Sequence, residues 1–456
     1  MKKLILIFFL IGIYFIYNWP ILDSDENSCY LLLIISYFLT TSTVSFLILT
    51  KRLNVFEPYF IISVLFIFLY NVSPLVFLIM QTTDIAGYYM MKGCSKGTYI
   101  YLLAFYSFTF GYYYIKYKPH SFLKQNIINS FDKDRISLLC FRMWIICFCL
   151  SLIYYVFGTG LSIMYILSIG MTGDVSMASD TPLKFLINFS WSMLPFWLLY
   201  VITSKSKAVK IIMTILTLSI YIIGGTRFIV ILMVGALAWS YYLGKGKKIG
   251  MKEVIISIAF FLTFTTLMAQ YRNDIRAGLG SKNVKVEESA FYDNFFTNTN
   301  IILPYYCIVD KIPSEYPYYL GKGYFIEPLY YLVPRAIYPQ KPGLGDADIV
   351  RAMVNSTGFD VCGQFGMATP FLSEMYLEFG PVGILILMTL IGVFLAKYKK
   401  KYLNPNRSIY DLAEYSITYF AIFQIFIRGY MSMNIYMMLF LILPIYYLRK
   451  KINISQ

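Results

Sequence analysis

Arg272 and Arg276 lie four residues apart just after a long apolar run, so a helix continuing past that run would carry both guanidinium groups on one face. Planar guanidinium forks match phosphate oxygens two at a time, and a pair of them suits a diphosphate. The same pair also reads as interfacial anchors with Asp274 as a local partner. Further along, Ala368-Thr369-Pro370 has the form of a helix start, with Thr369 as N-cap and Pro370 in the first helical position. The helix that follows carries Glu374 and Glu378 on one face until Phe379-Gly380-Pro381 ends it. Two carboxylates at this spacing repel, which suits one of them to take a proton as general base. The alternative is an exposed helix at headgroup level with two ordinary glutamates.

Two further arginines fall in tight turns, Arg227 in Gly224-Gly225-Thr226-Arg227 and Arg428 in Arg428-Gly429-Tyr430. The glycines permit a sharp turn and close approach to a ligand, but the run lacks the GxxxxGK[ST] pattern of a phosphate-binding loop. Each arginine reads either as an anchor at a helix end or as part of an anion site. There is no nucleotide-binding signature, and the single histidine, His120, is expected on the opposite side of the membrane from these groups. Chemistry built from these residues needs a substrate that arrives already activated. A lipid-linked diphosphate fits, being anionic and a leaving group that needs stabilising cations more than a general acid; no cofactor is expected.

These residues must be positioned by membrane helices. The chain has 456 residues, 58% of them hydrophobic, 19% aromatic and 14% charged, with a mean hydropathy of +0.63. Soluble domains carry roughly 25% charged residues, so a water-soluble globule is excluded. Apolar runs predict spans near 4–22, 29–50, 59–80, 98–115, 138–157, 183–203, 209–224, 226–243, 252–270, 380–396, 410–428 and 432–448. The expected architecture is an all-α polytopic membrane protein of about twelve helices. The short pair around Gly224 and Gly225 also reads as one broken element. The organisation follows: 1–270 holds the first nine helices, 271–378 a large external loop with the candidate active site and short helices, and 379–456 the last three.

The net charge of +15 is distributed unevenly. Lys and Arg gather on alternate connections, around Lys51, Lys116–Arg135, Lys205–Lys210, Lys245–Lys252, Lys397–Arg407 and Arg449–Lys451, while acidic residues favour the other side. By the positive-inside rule both termini are cytoplasmic. The basic excess is therefore an orientation signal and a contact surface for anionic lipid, and no nucleic-acid partner is expected. Met1-Lys2-Lys3 opens an apolar run without a small-residue cleavage site, which reads as an uncleaved first span.

Cys140, Cys147 and Cys149 fall in the fifth span and Cys29 at a helix end, all read as packing residues. Cys94, Cys307 and Cys362 would face outside, with a Cys307–Cys362 disulfide as one option; no spacing resembles a metal site. Within the large loop, Tyr316–Pro342 alternates Tyr, Phe, Leu and Ile with Pro, Gly and single basic residues, a composition suited to the headgroup level.

Three runs together resemble the oligosaccharide repeat unit polymerases, the O-antigen polymerase (Wzy) family. They are Gly224 to Phe228 (GGTRF); Tyr319-Leu320-Gly321 through Pro334-Arg335 to Gln340-Lys341-Pro342; and Ser373-Glu374-Met375-Tyr376 with Phe379-Gly380 and Gly383. The layout of many spans with one dominant outer loop is also similar. The resemblance implies a metal-independent glycosyltransferase of the bacterial cytoplasmic membrane, related to the O-antigen ligases. Such an enzyme moves a growing glycan from undecaprenyl diphosphate onto a new lipid-linked repeat unit, in O-antigen or capsule synthesis. Implied partners are undecaprenyl-diphosphate-linked oligosaccharides, membrane lipids, and a chain-length regulator and flippase of the same pathway. The family's outer-loop arginines would correspond here to Arg227, Arg272, Arg276, Arg335 or Arg428, with Lys341 beside them in the same run as Arg335. Glu374 or Glu378 would be the base.

Three alternatives remain open from the sequence. An O-antigen ligase would share the chemistry with another acceptor. A metal-dependent transferase using a polyprenyl-phosphate sugar is suggested by Asp23-Ser24-Asp25-Glu26 in the first outer loop. A flippase or transporter of the lipid-linked oligosaccharide would keep functional charge inside its spans, where Arg142 is nearly alone.

Overall fold

The computed structural model describes residues 26–80, 84–85, 88–114, 130–158, 182–223, 227–247, 249–250, 252–253, 302–326, 328–329, 333, 337–338, 369–402, 407–429 and 431–453. These form helices α1 (Glu26–Leu49), α2 (Pro58–Ile79), α3 (Met91–Tyr114), α4 (Ser130–Ile153), α5 (Phe189–Thr203), α6 (Lys207–Ile223), α7 (Arg227–Gly244), α8 (Ile302–Lys311), α9 (Phe371–Tyr402), α10 (Ile409–Arg428) and α11 (Met431–Asn453). The only β pairing among them is a two-residue antiparallel contact, Asp84–Ile85 with Tyr88–Tyr89, between α2 and α3. The protein is all-helical in its described part. Five helical stretches, Cys29–Leu49, Pro58–Ile79, Lys133–Phe157, Phe185–Thr203 and Phe371–Lys400, are long and apolar enough to cross a membrane.

The apolar runs read as spans from 29–50 to 226–243, and from 380–396 to 432–448, each coincide with a described helix. The runs at 4–22 and, beyond Glu253, at 252–270 lie outside the described residues. α6 and α7 are separate helices. α2 widens into a π-turn at Phe68–Val72 just before Pro74, whose missing N–H interrupts the helical ladder.

The helices build two packed groups. α1, α2, α3, α8 and α9 share one core, and α4, α5, α6, α7 and α11 share another with α10. Between them Phe56, Leu243, Leu412, Tyr415 and Tyr419 form a smaller cluster, so α10 touches both groups. In lipid, helices associate through close backbone approach and buried polar contacts rather than by expelling water. The tightest pairing, α3 with α9, uses glycines in this way. A Cβ at Gly111 would fall 2.1 Å from the Thr389 carbonyl oxygen, and one at Gly392 would fall 2.4 Å from that of Phe108.

Polar contacts join the other helices. Asn71, in the π-turn, donates to Tyr101 Oη at 2.9 Å and Thr40 Oγ1 at 3.2 Å, and accepts from Ser36. Each such bond in a membrane is worth on the order of 0.6 kcal/mol. α10 starts with a reciprocal cap: Ser408 Oγ accepts from the Asp411 N–H at 3.2 Å, and Asp411 Oδ2 accepts from the Ser408 N–H at 2.9 Å. That arrangement typically contributes about 1 kcal/mol.

Two expectations are corrected here. Cys29 is not merely a packing residue but forms a disulfide with Cys94, tying the start of α1 to the start of α3. Cys307 is buried in α8, and its suggested partner Cys362 lies outside the described residues. The described part of the Tyr-rich segment also does more than rest on a surface. Tyr316, Tyr318 and Tyr319 pack onto the first core, while Leu320, Phe325, Leu329 and Ile337 stay exposed. α8 itself is buried in the bundle. Gly93 lies against the Tyr306 backbone, Gly97 against its ring, and Tyr305 Oη donates to the Gly97 carbonyl at 2.5 Å.

Candidate active site

α9 carries both glutamates and is kinked between them and the rest of the helix. Gly380 has φ 64° and ψ −165°, outside the helical region, and Pro381 follows it. Only glycine takes this conformation without strain. A side chain there would also strike the Tyr318 ring, 2.8 Å from its Cζ. The sequence expectation that Phe379-Gly380-Pro381 ends the helix is therefore modified: the chain bends and α9 continues to Tyr402.

Thr369 does not cap α9, contrary to expectation. Its buried Oγ1 makes no hydrogen bond among the described residues. The Pro370 carbonyl accepts instead, from the Ser373 N–H at 2.9 Å and the Glu374 N–H at 3.3 Å. The first helical residue is Phe371. The local reason is that Pro370 offers no N–H but a free carbonyl, and the apolar Phe371 and Leu372 turn inward to the core.

Neither glutamate is exposed, which excludes the reading of two ordinary headgroup-level carboxylates. Glu374 is 1% and Glu378 0% accessible. Each takes a backbone N–H from a distant turn. Met431 N–H, in the first turn of α11, donates to Glu374 Oε1 at 2.9 Å and Oε2 at 3.2 Å. Gly323 N–H donates to Glu378 Oε1 at 2.9 Å. The first four N–H groups of a helix have no partner within it, and the positive end of the helix dipole favours an anion there, so Glu374 completes α11 from outside.

The turn that Glu378 holds is the Tyr319-Leu320-Gly321 run. Tyr319 N–H donates to the Leu377 carbonyl at 3.0 Å and Leu320 N–H to that of Glu378 at 2.9 Å. Leu320 and Gly321 both have positive φ, 54° and 86°. A π-turn at Lys322–Ile326 closes over Phe379, with the Tyr324 and Phe379 rings 5.7 Å apart. Tyr376 Oη reaches the Ile312 carbonyl at 3.0 Å. Two runs far apart in sequence, Tyr319–Gly321 and Ser373–Gly380, are thus one structural unit.

The turn that Glu374 holds contains Arg428. Gly429, with φ 56°, ends α10 and lies against the start of α9. A Cβ on it would come 2.7 Å from the Thr369 carbonyl oxygen and 2.9 Å from Glu374 Oε2. Asn434 Nδ2 donates to the Gly429 carbonyl. Arg428 is exposed at this junction.

Of the expected site residues, Glu374 and Glu378 lie one turn apart in the first part of α9, and Arg428 immediately precedes Gly429, which packs against Glu374. Arg227 is the first residue of α7, and its side chain lies outside the described set; Arg272, Arg276, Arg335 and Lys341 lie wholly outside it, as do Asp23 and Asp25. Arg142 is exposed on α4 rather than enclosed among helices. Sequence reasoning missed Gly323, Met431 and Asn434. Gly323 had a signal in its spacing after Gly321; the other two act through a backbone N–H and an amide on an apolar helix and had none.

The O-antigen polysaccharide polymerase Wzy family model matches residues 1–454, and the chain belongs to that family. No curated protein and no solved structure matches it.

Proposed function

Taking that membership as premise, we propose that this O-antigen polymerase family member joins undecaprenyl-diphosphate-linked oligosaccharide repeat units at the outer face of the cytoplasmic membrane. A hydroxyl of the incoming unit attacks the anomeric carbon of the growing chain, and undecaprenyl diphosphate leaves. Charge builds on the diphosphate as the glycosidic bond breaks, and guanidinium groups fixed around it stabilise that state. Arg428 and, from the sequence, Arg227, Arg272, Arg276, Arg335 and Lys341 are the proposed cations. Glu378 takes the proton of the attacking hydroxyl. It is preferred over Glu374 because both Glu374 oxygens accept Met431 N–H at the start of α11, where the positive end of the helix favours the anion and occupies it structurally. The reaction as proposed uses no metal.

The observation that supports this reading is the packing of Tyr319–Gly323 and of Gly429, the residue after Arg428, against the first part of α9 that carries Glu374 and Glu378. Both termini are proposed to be cytoplasmic. The basic connections support that orientation, and so does the Cys29–Cys94 disulfide at the end of α1 and α3 assigned to the outside, since disulfides persist in oxidising compartments. The pathway's flippase and chain-length regulator are the proposed protein partners. In cells lacking the native gene, Glu378→Gln should abolish polymer while single lipid-linked repeat units accumulate on the outer face. Accumulation on the inner face would mean that translocation had failed, and the transporter reading would replace this one.

A further inference from the structure

We propose that Glu374 is the positioning residue for Arg428, setting the turn from which that arginine meets the substrate diphosphate; this rests on the reading of Arg428 as a diphosphate ligand. Arg428 is the last residue of α10, and α11 begins at Met431. So short a link has many backbone solutions. Here one is selected by three contacts that surround the turn. The Glu374 carboxylate accepts Met431 N–H with both oxygens, at 2.9 and 3.2 Å. Gly429 adopts φ 56° and fits against Glu374 Oε2 and the Thr369 carbonyl with no space for a side chain. Asn434, one turn into α11, donates to the Gly429 carbonyl.

Glu374 is the centre of this arrangement because it touches both sides of the turn. It is 1% accessible and sits in the buried first part of α9, whose residues Phe371, Leu372 and Met375 are core. α9 is thereby connected to the α10–α11 junction through one carboxylate. A guanidinium binds a diphosphate with two parallel hydrogen bonds only when its stem starts from a fixed place, and small displacements of a positioned group are costly in rate. A carboxylate whose two oxygens are engaged by a helix N-terminus serves that purpose better than it serves as a base.

The assignment separates two roles by what glutamine can replace. The Gln amide oxygen still accepts Met431 N–H, but it cannot take a proton. Glu374→Gln should therefore keep chain growth within about threefold of wild type, while Glu374→Ala should lose on the order of 10²-fold in kcat/KM, as Arg428→Ala should. The double variant Glu374→Ala with Arg428→Ala should be no worse than Arg428→Ala alone, since groups acting through one another are not additive. Met431→Pro provides an independent check, because it removes the N–H at a helical position that tolerates proline and leaves Glu374 in place. It should reproduce the Glu374→Ala defect and share its coupling to Arg428.

The experiment measures chain growth on lipid-linked repeat units in membranes, with the amount of folded protein fixed by detergent size-exclusion chromatography. Glu374→Gln as inactive as Glu374→Ala, or full additivity with Arg428→Ala, would overturn the positioning role while leaving the polymerase reading intact. Wild-type activity in Arg428→Ala would instead remove the premise that Arg428 binds the diphosphate, and the proposal with it.

Discussion

Glu378 Oε1 accepts the backbone N–H of Gly323 at 2.9 Å, which fixes the turn after Tyr319 to the first part of α9, 55 residues further along the chain. The contact exists because Gly321 and Gly380 both take positive φ and let two backbones meet around Phe379 and Tyr318. Gly321→Ala or Gly380→Ala should therefore detach this turn and reduce chain growth at least tenfold with the bundle intact. Limited proteolysis between Tyr319 and Ile326 would register the detachment. Unchanged protection in either variant would mean that the turn is held by something other than this glycine contact.

A second prediction concerns the opposite end of α9, roughly 38 Å from Glu374 along the helix at 1.5 Å per residue. Lys399 Nζ pairs with Glu57 Oε2 at 2.5 Å, both side chains being about nine-tenths buried, and Tyr112 Oη donates to the same carboxylate at 3.1 Å. Removing one partner of a buried ion pair typically costs about 3–5 kcal/mol. Glu57→Gln or Lys399→Met should lower thermal stability in detergent, and the specific activity of the surviving folded protein should stay near wild type. Loss of specific activity without loss of stability would place this pair in the chemistry.

How much of this was readable beforehand depended on the kind of interaction involved. Helices α1 to α7 and α9 to α11 were legible because a run of apolar residues between charges fixes where a membrane helix forms. The Gly380 bend was also legible, since Gly-Pro is a local signal. The burial of Glu374 and Glu378 was not, because a carboxylate four residues from another looks solvent-facing until its acceptor role toward Gly323 and Met431 is known. The Cys29–Cys94 pairing was hidden for the same reason: it follows from α1 packing on α3, a relationship that spacing along the chain does not encode.

That pairing gives a third prediction. The bond closes a separation of 65 residues, and loss of a bridge of this kind typically costs about 2–4 kcal/mol. Mass-tagging of thiols in denatured protein should find Cys29 and Cys94 blocked until a reductant is added, and Cys29→Ser should free Cys94. Both thiols reacting without reductant would contradict the pairing and remove one support for the orientation.

A fourth prediction concerns metal. Chain growth should survive chelation, and Asp23→Asn with Asp25→Asn should behave as wild type. Activity lost to chelator and restored by Mn²⁺ or Mg²⁺ would favour the metal-dependent transferase that uses a polyprenyl-phosphate sugar.

We expect this single chain to suffice for glycan transfer between two lipid-linked diphosphates. Its most direct test is to reconstitute the purified protein into liposomes with an undecaprenyl-diphosphate repeat unit as sole substrate, and to resolve the products by gel. The expected product is a ladder of lipid-linked oligomers with release of undecaprenyl diphosphate, absent with Glu378→Gln. Substrate that crosses the bilayer but never lengthens would contradict it.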